Sequence, residues 1–115
     1  MRHSTPEKRL NSFEEFWPYY VREHSHPINR LLHFAGSTLG LVCLAAAVVI
    51  GNWWFVPLGL VFGYGFAWIG HFFVEMNKPA SFKYPLWSFR ADWKMRALML
   101  RLQMEPEIRR AAERF

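Results

Sequence analysis

His24, His26, His33 and His71 are the residues best suited to chemistry in this 115-residue chain, and Glu75 is the carboxylate placed to join them. A neutral imidazole offers a lone pair to iron, zinc or copper. A histidine-rich set with one carboxylate and open positions is the donor pattern of iron(II) oxygenases. Glu75 follows His71 by four residues and Asn29 precedes His33 by four, so on helices each pair shares a face. Taken singly, each histidine has a plainer role as a polar anchor at an interface. Three imidazoles and a carboxylate meeting at one depth have the makings of a non-haem metal centre. Cys43 is the only cysteine, which excludes an internal disulfide and a cysteine-built zinc site. The sequence has no glycine-rich phosphate loop and no Ser or Cys nucleophile paired with a base.

An apolar stretch must position these groups. All 23 Lys, Arg, Asp and Glu residues lie outside Leu31–Val74. The stretch divides at Gly51-Asn52 into Phe34–Ile50, 17 residues, and Trp53–Gly70, 18 residues. As helices each covers roughly 26 Å, close to the ~30 Å hydrocarbon thickness once flanking residues are added. Neither run alternates in polarity, and both are too long for strands. The expected fold class is all-α: an integral membrane helical protein, a single membrane domain over 1–115. It consists of a two-transmembrane-helix hairpin (31–50 and 53–75), an N-terminal helix and a C-terminal interfacial helix. A buried hairpin in a soluble protein is the alternative, but a chain this small has little other material to cover it.

Five of the 14 basic residues precede Leu31, nine follow Val74, and the turn has none. The positive-inside rule therefore places both termini and the histidines on the cytoplasmic side, of the inner or plasma membrane in a prokaryote. The net charge of +5 is accounted for in this way, so no nucleic-acid partner is expected. No short apolar segment with a cleavage site precedes the long stretch, and secretory targeting is not expected. Trp53 and Trp54 suit the far interface as an aromatic belt. Ser37, Gly40 and Ala45–Ala47 opposite Gly59, Gly63 and Gly65 allow close helix contact, and such faces also suit a homo-oligomer. His33 lies 18.5 residues before a turn centred near 51.5 and His71 19.5 residues after it, so straight helices bring both to nearly one depth. His24 and His26 belong to the segment entering the membrane at that face.

On the N-terminal flank, Ser12 and Glu15 form a capping box for a helix over 12–25, whose aromatic stripe is Phe13, Phe16, Trp17 and Tyr20. Pro18 predicts a kink there or a start near Trp17, and His24–Pro27 ends the helix. A further helix over 86–103 shows two apolar strips. One is Trp87, Ala91, Met95, Leu98 and Leu102, and the other is Leu86, Phe89, Trp93 and Leu100. Such a helix touches protein with one strip and lipid with the other. Residues 105–115 read as a charged helix or tail.

Two motifs then carry a family resemblance. The first is His24-x-x-Pro27-x-Asn29-x-x-x-His33, preceded by Phe16-Trp-Pro-Tyr-Tyr20. The second is Gly70-His71-x-x-x-Glu75-x-x-x-Pro79-Ala80. Together they make the chain resemble the membrane-bound 2-hydroxy fatty acid dioxygenases, related to a fungal α-oxidation enzyme. The resemblance implies an Fe(II)-dependent enzyme that uses O2 to shorten a 2-hydroxy fatty acid by one carbon at the cytosolic face of the lipid membrane. It implies His24, His33 and His71 as metal ligands, with Glu75 and Asn29 as accompanying catalytic residues. Arg30, beside His33, is then placed to steady the substrate carboxylate, unless it reaches to headgroups instead. Two departures stand out. Ser25 occupies the place of a second consecutive histidine in the fungal enzyme, which leaves His26 and Glu75 as alternatives for a fourth ligand, and a long hydrophobic insert between the motifs is absent. The competing reading is a non-catalytic lipid-binding or scaffold membrane protein.

Overall fold

A computed structural model of the protein describes residues 9–114. Among them every regular element is helical. The first, α1 (Phe13–Glu23), opens on Ser12, whose Oγ accepts from the Glu15 N–H at 3.2 Å while the Glu15 carboxylate accepts from the Asn11 N–H at 3.0 Å. The helix starts ahead of Pro18 rather than at Trp17. Pro18 forfeits only one early hydrogen bond, and Phe16 N still donates to Ser12 O at 3.0 Å.

The second helix, α2 (Pro27–Ile50), begins four residues ahead of the expected 31. Proline at the first helical position loses an N–H that has no intrahelical partner anyway, and His26 caps the helix by accepting the Ile28 N–H on Nδ1 at 3.1 Å. Asn29 and Arg30 therefore sit in the first turn of α2 rather than on an approach to it. Gly51, with φ 78°, ends α2 in a left-handed conformation that favours glycine.

Helix α3 (Phe55–Ile69) starts two residues later than 53, because Asn52 Oδ1 accepts the Trp54 N–H at 3.1 Å and closes a turn. It runs on into a π-helical turn over Gly70–Glu75 rather than keeping α pitch. A short 3-10 turn (Ala80–Phe82) leads to α4 (Pro85–Leu100). Helix α4 stops short of 103 because Leu102 takes a positive φ of 57°, with Leu102 N donating to Met99 O and Gln103 N to Leu98 O. Residues Met104–Arg114 form α5.

Two packing regimes coexist. Helices α1, α4 and α5 enclose an aromatic core in which Phe16, Tyr20, Ala91 and Met95 are buried and Phe16 contacts Tyr19, Tyr84 and Trp87. Trp17 Nε1 donates to Glu107 at 2.7 Å, tying α1 to α5. Helices α2 and α3 instead pack on each other through small residues in opposed order. Gly36 lies against Phe62–Phe66, and Gly59 against Gly40 and Cys43. Away from that seam their side chains are exposed, Val49 to 84% and Val61 to 66%. Both helices, α3 counted through Glu75, are long and apolar enough to cross a membrane.

Candidate metal centre

The site is assembled from three chain segments. His24 stands at the C-cap of α1, His33 in the second turn of α2, and His71 in the π-helical turn after α3. Their metal-binding atoms lie within 4.8 Å of one another. Nε2 of His24 is 3.2 Å from Nε2 of His33 and 3.0 Å from Nε2 of His71. The rings stand nearly perpendicular, with centroids 4.5–5.0 Å apart.

The outer nitrogens set the protonation state. Nδ1 of His24 meets Tyr20 O at 2.6 Å, Nδ1 of His33 meets Asn29 O at 2.9 Å, and Nδ1 of His71 meets Asn77 Oδ1 at 2.7 Å. Each oxygen can only accept, so each Nδ1 carries the proton and each Nε2 turns a bare lone pair inward. Burial first, then the His71 and His33 rings, hold the His24 pKa well below the usual imidazole value, so that ring is neutral. Three lone pairs this close repel unless a cation or a shared proton lies between them.

The donor set fits a metal. Nitrogens in adjacent coordination positions at about 2.1 Å from a metal stand roughly 2.9–3.4 Å apart, and the two measured separations fall in that range. A ring N–H donated outward to a carbonyl oxygen is the usual support for a metal-bound histidine. Neutral imidazoles suit iron, zinc and copper alike.

The other expected site residues are placed differently. Glu75 is buried, but its carboxylate accepts the backbone N–H of His26 at the start of α2 and is not among the converging ligand atoms. The turn that carries both residues is π-helical, so Glu75 takes a different direction about the helix axis from the one α spacing gives. His26 is likewise outside the cluster, its ring occupied in capping α2. Asn29 is fully buried and contributes its backbone oxygen to His33, while its side-chain amide lies against Gly70, where an added Cβ would fall 1.9 Å from Oδ1. Arg30 is engaged at the α1–α2 junction. Nη1 donates to His24 O at 2.8 Å and Ser25 O at 2.7 Å, and Nη2 lies 3.6 Å from Glu105. It locks the end of α1 onto α2.

Four residues outside the sequence-derived set border the site. Asn77 orients His71 and also donates from Nδ2 to Glu23 O at 3.2 Å; its signal in the sequence is only a polar residue just past the apolar run. Tyr20 stacks on His24 at 3.9 Å between centroids and donates its hydroxyl to Asp92. Burial raises the Asp92 pKa to about 6 against the opposing effect of the Tyr20 bond. The fourth, Arg96, donates from Nη1 to Phe34 O, Ser37 Oγ and Thr38 Oγ1 at 3.1, 2.7 and 2.8 Å. In sequence, Tyr20 belongs to an aromatic stripe and Asp92 and Arg96 to the polar sides of an amphipathic helix, and such residues usually face core and water.

Two adjoining clefts reach the cluster. A pocket of about 20 Å3 is lined by the three histidines with Tyr20, Ser88 and Asp92. It shares His33, Tyr64, Ala67 and Asp92 with a larger cleft of about 240 Å3 between α2, α3 and α4, whose far end is walled by Leu41, Leu44, Val56 and Leu60.

A family model described as 2-hydroxy-palmitic acid dioxygenase Mpo1-like matches residues 10–104, nearly the whole described chain, and the chain belongs to that family. No curated protein and no solved structure matches it.

Proposed function

We propose that this member of the Mpo1-like family is an Fe(II)-dependent membrane enzyme that uses O2 to shorten a 2-hydroxy fatty acid by one carbon. The observation that carries the reading is the inward convergence of three neutral Nε2 atoms, each backed by an acceptor on Nδ1. The family name supports the substrate class and the dioxygenase chemistry. Iron bound by His24, His33 and His71 would supply a Lewis acid and a centre for O2, with coordination positions left for substrate.

The chain's own groups do the rest. Tyr20 O, Asn29 O and Asn77 Oδ1 hold the rings in the metal-binding tautomer. Asp92, hydrogen-bonded to Tyr20 beside the small pocket, stands where it can accept a hydrogen bond from the substrate's 2-hydroxyl. Glu75 and Arg30 act one step removed, by fixing the junction of α1 and α2 that carries His24. The apolar cleft receives the alkyl chain and keeps water from it.

In this reading α2 and α3 cross the membrane as a hairpin. Their exposed valines and leucines then face lipid, and the distribution of basic residues supports a cytosolic side for both termini and the metal centre. The test is metal analysis of anaerobically purified protein, followed by product analysis with a 2-hydroxy fatty acid. The wild type should hold about one iron per chain and release the acid one carbon shorter. His71→Ala should lose both. Metal-free, folded wild-type protein, or turnover retained in His71→Ala, would overturn the proposal, and the former would favour the scaffold reading.

A further inference from the structure

The larger cleft contains a cation that the proposed iron chemistry does not use. Arg96 is held on α2 through Nη1, by the carbonyl of Phe34 and by the hydroxyls of Ser37 and Thr38. Those hydroxyls donate their own protons to Phe34 O at 3.1 and 2.8 Å, so they present lone pairs to the guanidinium and fix its orientation. The Phe34 ring lies 4.2 Å from the guanidinium carbon and covers one side. No acidic group pairs with Arg96 among the described residues. Asp92, one turn away on α4, gives its carboxylate to Tyr20 instead. A pre-oriented cation that no acidic group pairs with, in a cleft lined mostly by apolar side chains, is costly to keep there and is a receptor for an anion.

We infer that Arg96 is the carboxylate receptor of the acyl substrate and sets the enzyme's preference for acids. The inference rests on the function proposed above and names the group that recognises the head of the substrate. Three observations fit together. Arg96 and His33 line the same cleft, and Ser37, which anchors Arg96, follows His33 by four residues, about 6 Å along α2. Nε and Nη2 make no hydrogen bond among the described residues, which leaves two parallel donors for a bidentate carboxylate. Beyond Arg96 the cleft continues between α2 and α3 to Leu44 and Val56, where an alkyl chain finds only apolar walls. A long-chain acid fits these surfaces, with its carboxylate on Arg96 and its tail along the hairpin. Arg30 cannot play this part, because its guanidinium is spent on the carbonyls of His24 and Ser25.

The test uses binding, without turnover or iron. Purified full-length protein in detergent is titrated with a 16-carbon fatty acid lacking the 2-hydroxyl and, separately, with the alcohol of equal length, following the fluorescence of the cleft tryptophan Trp93 and its neighbours. The wild type should bind the acid about 10- to 100-fold tighter than the alcohol. Arg96→Met should abolish that preference and leave alcohol affinity within about twofold, while Arg96→Lys, which keeps the charge and loses the fork, should fall between. Equal binding of acid and alcohol by the wild type overturns the inference, as does loss of both ligands in Arg96→Met and Arg96→Lys alike, which marks a merely structural arginine. A single-chain phospholipid of equal length that outcompetes the acid for the wild type overturns it too, by assigning the site to a phosphate headgroup. Iron loading is measured on the same samples. Failure of the wild type to load iron counts against the catalytic reading and leaves the carboxylate site standing.

Discussion

Each imidazole of the cluster is held by a single oxygen, and these oxygens differ in kind. Two are backbone carbonyls, of Tyr20 and Asn29, which no substitution at those positions removes, whereas His71 depends on the side chain of Asn77. Asn77→Ala should therefore weaken metal binding about 10- to 100-fold while leaving the three ligands in the chain, measured by metal competition with a calibrated chelator. Asp92 provides a pH-dependent signature. Its folded-state pKa is raised from 3.8 to about 6. Below the unfolded value the carboxyl is neutral in both states and burial costs nothing extra. As pH rises through about 6 the folded state must hold a buried charge, and the whole cost is present above that. Wild-type stability should fall relative to Asp92→Asn by about 2 kcal/mol between roughly pH 4 and 7, a difference visible in parallel melting curves. Parallel pH profiles for the two proteins would remove this assignment.

At the scale of elements, the site depends on one irregular turn. Beyond Ile69 the chain leaves α spacing for a π turn, from which Glu75 reaches the start of α2, and Met76, at φ 61°, turns Asn77 back to His71. Gly70 opens that turn against Asn29, with no room for a methyl group. Gly70→Ala should force Asn29 and the first turns of α2 to shift, costing about 1–3 kcal/mol and lowering metal affinity together with the melting temperature. Unchanged melting and metal loading would show that the contact yields freely. Elsewhere the elements follow local rules readable in the sequence. These are the Ser12 cap and Gly51 at a helix end.

The whole molecule joins a conventionally packed part to a part with little interior. Helices α1, α4 and α5 bury aromatic side chains against each other, while α2 and α3 leave most of their apolar surface outward, over a molecule 47 Å in its longest dimension. An exposed apolar surface of this extent marks a membrane or protein contact, and both helices that carry it are long and apolar enough to cross a membrane. In a Cys43→Ser background, a thiol placed at Asn52 in the turn should react with an impermeant reagent only from the side of the membrane opposite the termini. Labelling of both ends from one side would overturn the hairpin orientation.

Composition and spacing alone determined a great deal: helices throughout, two of them able to cross a membrane, and His33 and His71 brought to nearly one depth. These follow from short-range rules, namely helical rise, charge exclusion from Leu31–Val74 and residue preferences at helix ends. Only the tertiary structure decided which polar groups meet those histidines. Asn77 comes to the cluster from after the π turn, Asp92 and Arg96 line the adjoining clefts from a helix packed beside it, and Glu75 and Arg30 are held at the α1–α2 junction. The physical reason is that a side chain's partners depend on the rotation and docking of whole helices.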